Sequence, residues 1–138
     1  MHQYRFLSHT ADISIEVEAD TLEELFLASL LGMNQILKEN FCQHAPAPGV
    51  EQEVAIRSVD NTTLLVDFLS AVLTHTYLEK TMFCRVEFKA LNANYVEATI
   101  KGVPVDFFED DIKAVTYHGA EVTRQKDGSW STAIVFDI

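Results

Sequence analysis

The chain has 138 residues, 48% of them hydrophobic, which suffices for one domain (1–138) around one core and is too apolar for a disordered chain. Twenty-one Asp and Glu against ten Lys and Arg give a formal charge of -11, which repels a phosphate backbone and argues against strong direct nucleic-acid binding. No stretch reaches the ~18 apolar residues of a membrane span, and Met1 to Leu7 carries no long apolar run, so a cytoplasmic protein without membrane association is expected.

Tyr4 to Leu7 reads as a short strand, followed by the polar turn Ser8-His9-Thr10-Ala11-Asp12. Ile13, Ile15 and Val17 then alternate with Ser14, Glu16 and Glu18, the period of a strand with one wet face. Thr21 and Glu24 form a capping box that opens a helix to about Lys38, with Leu22, Leu25, Phe26, Met33, Ile36 and Leu37 on one face and Gly32 as a mild interruption. Cys42 and Cys84 stand far apart and in no CxxC pattern, which argues against a disulfide or a zinc site; free, half-buried thiols in a reducing compartment are expected.

His44 to Gly49, with Pro46 and Pro48, reads as a loop, and Gln52 to Val59 as a strand. Asp60 or Asn61 can cap a second helix to about Leu78, apolar over a wide arc and therefore buried. Strands Phe83 to Leu91 and Tyr95 to Ile100 flank the tight turn Asn92-Ala93-Asn94, and Gly102 and Pro104 break the pattern. Ile112 to His118 and Glu121 to Gln125 follow, then the hairpin signal Asp127-Gly128 and a last strand from Trp130 to Phe136. The sum is an α+β fold: a two-layer domain of mostly antiparallel sheet with two helices packed on one face.

Nucleotide-binding glycine motifs, a nucleophile elbow and HExxH are all missing. Three local features carry chemistry instead. Asp12 stands where a buried strand begins, and a carboxylate there needs solvent, a backbone N–H or a cation; a turn-forming Asp beside a surface His meets the same need. Asp137 precedes Ile138, so its side chain lies near the oxygen atoms of Ile138, and anions that close repel unless a cation or N–H donors intervene; a solvated chain end is the alternative. Oxygen-only ligands suit calcium, magnesium or manganese. Lys113, in an otherwise apolar and hydroxyl-bearing strand, can balance such carboxylates or engage a phosphate, or simply face water. Glu109-Asp110-Asp111 reads as a solvated acidic run, with a metal or partner site as the alternative.

Together, His9-Thr10-Ala11-Asp12-Ile13, Thr21-Leu22-Glu23-Glu24-Leu25-Phe26, Leu64-Leu65-Val66-Asp67-Phe68-Leu69, Lys113-Ala114-Val115-Thr116-Tyr117-His118 and Phe136-Asp137-Ile138 resemble the archease family, in order and across the whole chain. Ser14, Asn61-Thr62-Thr63 and Gly119-Ala120 depart from its pattern. The resemblance implies an accessory factor, not itself an enzyme, that works with a GTP-dependent RNA-splicing ligase. It would speed guanylylation of the ligase's active-site histidine and support multiple turnover in tRNA splicing and RNA repair, meeting RNA and GTP only through the ligase. It further implies a divalent metal (calcium, or manganese or magnesium) on Asp12, Asp137 and Ile138, with Lys113 and His9 acting in partner activation. Two other readings use the same residues. One is a stand-alone metal-dependent phosphoryl-transfer enzyme; the other is a non-catalytic adaptor or chaperone with a structural metal.

Overall fold

The computed structural model describes residues 1–9 and 12–138. Strands β1 (His2–His9), β2 (Asp12–Ala19), β6 (Ala114–Thr116), β7 (Thr123–Arg124) and β8 (Trp130–Asp137) form one sheet in the order β1-β2-β8-β6, with β7 also paired to β8. Strands β3 (Val50–Arg57), β4 (Thr81–Leu91) and β5 (Tyr95–Pro104) form another in the order β3-β5-β4. Every pairing is antiparallel. Helices α1 (Leu22–Leu37) and α2 (Asn61–Glu79) complete the α+β fold. The expected antiparallel strands and two helices are present. The strands divide between two sheets, and each helix packs against strands of both: α1 against β2 and β4, α2 against β3 and β6.

Local chemistry explains the element boundaries. Thr21 Oγ1 accepts the Glu24 N–H at 3.1 Å to start α1, and Asp60 Oδ1 accepts the Thr63 N–H at 2.8 Å to start α2. The bond from the Thr63 N–H, above all, holds the Asp60 carboxyl below its ordinary pKa. Gly32 lies where α1 crosses β2: a Cβ there would stand 2.7 Å from Ile15 Cδ1, so the absent side chain lets the helix settle onto the sheet. Phe26, Phe68, Phe83 and Phe136 fill the core between the layers. Turn residues act as expected at Asn92, whose Oδ1 accepts the Asn94 N–H at 2.9 Å, and at Gly128, whose φ of +91° suits glycine.

Three expectations need correction. β5 runs through Gly102 to Pro104 instead of breaking. A Cβ on Gly102 would lie 2.6 Å from the Met82 carbonyl oxygen, so the bare backbone lets β4 pass, and Pro104 falls at the strand end where its missing N–H costs little. The strands expected over 112–118 and 121–125 shrink to β6 and β7. Cys42 and Cys84 are not free thiols: they form a disulfide across 42 residues, because a 3-10 turn at Phe41–Gln43 brings Cys42 beside β4, with Cα atoms 5.5 Å apart, the ordinary span of such a bridge.

Candidate functional site at the end of the first sheet

Along β8 the residues Thr132, Ile134 and Phe136 turn into the core, so Asp137 belongs to the opposite, outer face. On β2 the inward set is Ile15, Val17 and Ala19, which leaves Asp12 on the outer face as well. Pairing of β2 with β8 sets Asp12 directly opposite Asp137, with Ile13 opposite Phe136 beneath them. Directly opposed residues of an antiparallel pair have Cβ atoms about 5 Å apart, close enough for two carboxylates to share one cation.

The third strand of the site is β6. Ala114 pairs with Asp137, and the Lys113 N–H donates to the Asp137 carbonyl oxygen at 2.7 Å. Lys113 is exposed at the same end of the sheet as Asp12 and Asp137. Ile138 continues from Asp137 and packs its side chain, half-buried, against the core. Asp12, Lys113, Asp137 and Ile138 are therefore brought together. The His9 side chain and Thr10-Ala11 lie outside the described residues; the His9 backbone pairs with Ile13.

Among the described residues the candidate donors here are oxygen atoms, from two side-chain carboxylates and the main chain of Ile138. Oxygen donors of this kind suit a hard divalent cation. Among the described residues no three His, Cys, Asp or Glu side chains cluster as a metal cage.

One contributor escapes sequence reasoning. Tyr77 of α2 reads as a core residue, yet its hydroxyl donates to the Ile112 carbonyl oxygen at 2.9 Å and accepts the Ile112 N–H at 2.7 Å. Ile112 is 1% exposed, so without that hydroxyl its backbone groups would be buried and unpaired. The residue that follows is Lys113, so α2 anchors the approach to the site. Burial foremost, opposed by the Ile112 backbone and aided by the Asp111 carboxylate, pushes the Tyr77 phenol up to about 12. The sequence signal for this role is only that a phenol at a core position must find a polar partner.

A concavity of about 560 Å³ lies beside Trp130, Lys126 and Asp127. It is at the far end of β8, ~23 Å from Asp137 at ~3.3 Å per residue, and belongs to neither carboxylate.

The sequence model of the Archease protein family (MTH1598/TM1083) matches residues 4–138. The chain belongs to the archease family. Its relatives include the protein archease of Methanosarcina barkeri, 33% identical over 99% of this chain and 96% of that protein. The protein archease of Thermococcus gammatolerans is 29% identical over the whole of both chains. The solution structure of Methanobacterium thermoautotrophicum protein 1598 superposes with a TM-score of 0.77 at 25% identity, covering 98% of each chain. The crystal structure of an archease from Thermotoga maritima, described as a possible chaperone, has a TM-score of 0.62 at 23% identity over 96% of this chain and 94% of that one; it speaks to the fold.

Proposed function

We propose that this archease-family chain is a protein activator of a GTP-dependent RNA-splicing ligase and that Asp12, Asp137 and Ile138 hold a divalent cation at its working tip. The register that opposes Asp12 to Asp137, with Lys113 bonded to the same residue, is the observation that carries the reading. A ligase that gathers a nucleoside triphosphate and RNA must neutralise much negative charge, so its active-site face is basic, and a partner of charge -11 is steered towards it. A bound cation supplies Lewis acidity and charge to a nucleotidyl transfer onto the ligase histidine. The chain's own residues do the rest: Asp12 and Asp137 orient the donor oxygens from a rigid ladder, and Lys113 offers a point charge to a phosphate oxygen.

The test is a ligase assay with the matched enzyme, GTP, manganese and cleaved RNA, with and without this chain. Stimulation is expected from the wild type and is expected to disappear in Asp12→Asn and Asp137→Asn while both variants keep their circular dichroism. Full stimulation by both would remove the cation from the reading. The adaptor or chaperone reading has the description of the Thermotoga relative in its favour; it expects metal-free protein to stimulate as well as metal-loaded protein. The stand-alone enzyme reading expects guanylyl or phosphoryl transfer by the purified chain with no ligase present.

A further inference from the structure

Next to the carboxylate pair is a groove of about 580 Å³ that the proposed chemistry leaves unused. Its floor is apolar: Ile13 from β2, Ile36 from α1, Ile138 after β8, and Phe6 from β1, which is 43% exposed. Its rim is acidic: Glu39 just past α1, and Glu109 and Asp110 from the segment between β5 and β6. None of the ion pairs among the described residues uses any of these three carboxylates. The nearby ammonium of Lys38 sits over the Phe107 ring, 3.5 Å from its centroid.

The walls are already built. The Glu109 N–H donates to the Leu37 carbonyl oxygen at 2.7 Å, and Glu109 Oε1 accepts the Glu39 N–H at 2.9 Å. Farther back the Val105 N–H donates to the Lys80 carbonyl oxygen at 2.8 Å. A groove held this way needs little ordering when something enters it, which lowers the cost of association. Hydrophobic floor, an acidic rim outside the ion pairs of the described residues, and fixed walls together select a segment that carries an apolar side chain next to a Lys or Arg.

We infer that this groove seats a basic, apolar-bearing segment of the ligase and so sets how the Asp12–Asp137 tip enters the ligase active site. The inference rests on the activator reading above. Ile13 and Ile138 belong both to the groove and to the strand ends that bear the acidic pair. A segment docked there therefore fixes the distance between the partner and the tip.

The experiment measures ligase binding by calorimetry at two salt concentrations, and ligase guanylylation as a function of the concentration of this chain. In the double variant Glu39→Lys/Asp110→Lys, binding is expected to weaken at least tenfold and to lose much of its salt dependence. The half-maximal concentration should rise by the same factor, while the plateau of stimulation holds. Phe6→Ser, which changes no charge, is expected to weaken binding severalfold with the salt dependence intact. Glu51→Lys/Glu97→Lys makes the same change of charge on the second sheet and is expected to leave the titration near wild type. Wild-type titrations from both groove variants, or an equal loss from the second-sheet control, overturn the groove. A wild-type chain that neither binds nor stimulates the ligase overturns the activator reading and the groove with it.

Discussion

Tyr77→Phe isolates the anchor beneath the site. The substitution keeps the ring, and with it the edge-on packing against Phe108 at 5.4 Å, and removes only the hydroxyl that bonds Ile112 in both directions. Each such bond contributes about 0.5–1.5 kcal/mol net. Ile112 is buried, so its N–H and carbonyl would stay dry and unpaired, and a loss of about 2 kcal/mol is expected. With a urea m-value of ~2 kcal/mol/M for a domain this size, the midpoint falls by about 1 M. Amide exchange at Lys113 should rise, since its bond to Asp137 depends on the neighbour that Tyr77 fixes, while amides of the β3–β5 ladder stay protected. Stimulation of the ligase should drop several-fold with Lys113 in place. The phenol adds a pH signature. Its raised value means that the fold favours the neutral form. The stability it contributes is fully present below pH 10 and is lost as pH rises through about 12. The variant should therefore show a shallower alkaline loss than wild type. A stability change under ~0.5 kcal/mol with unchanged exchange at Lys113 would refute the anchor.

Gly102→Ala places a Cβ 2.6 Å from the Met82 carbonyl and 2.6 Å from Thr81 Cγ2, and backbone cannot step aside, so chemical denaturation should show a loss of about 2–3 kcal/mol. Gly49→Ala, with nothing within 4 Å, is the neutral comparison. Reduction of the Cys42–Cys84 bridge opens a loop of 42 residues, and by the chain-entropy relation it should lower stability by up to about 4 kcal/mol. Thiol titration of the native chain under non-reducing conditions should find no reactive cysteine, and two after unfolding in reductant. Manganese or calcium should raise the melting temperature of the wild type and leave Asp12→Asn/Asp137→Asn unmoved, read by calorimetry with no ligase present.

Much of the fold was legible because its signals are local. The Thr21-x-x-Glu24 box, the Asp60 cap, the Asn92 turn and Asp127-Gly128 each act through atoms within a few residues of one another. What stayed hidden depends on distant partners. A period-two strand does not say which strand it joins, so the split into two sheets could not be read from alternation. Ile112 and Lys113 have a strand's residue types, but Tyr77 satisfies Ile112 where a ladder would have, and β6 begins only at Ala114. Gly102 looks like a breaker in one dimension and is a fitted surface in three. The cysteine bridge needed the turn at Phe41 to be known first. At the candidate site the residue types of Asp12, Lys113 and Asp137 were readable, and their meeting was not; it follows from the register of β2, β8 and β6.

That register has a bearing on how the molecule is made. β8, the strand nearest the end of this sequence, lies inside the first sheet with β2 on one side and β6 on the other. Before β8 is synthesised, β2 has one neighbour and β6 has none among the described strands, and the apolar faces of Ile15 and Val17 lack the cover that β8 helps to supply. The second sheet, complete by Pro104, can assemble during translation; the first must wait. The Asp12–Asp137 pair thus forms only once β8 has joined the sheet, and a nascent chain stalled short of β8 leaves the apolar faces of Ile15 and Val17 uncovered.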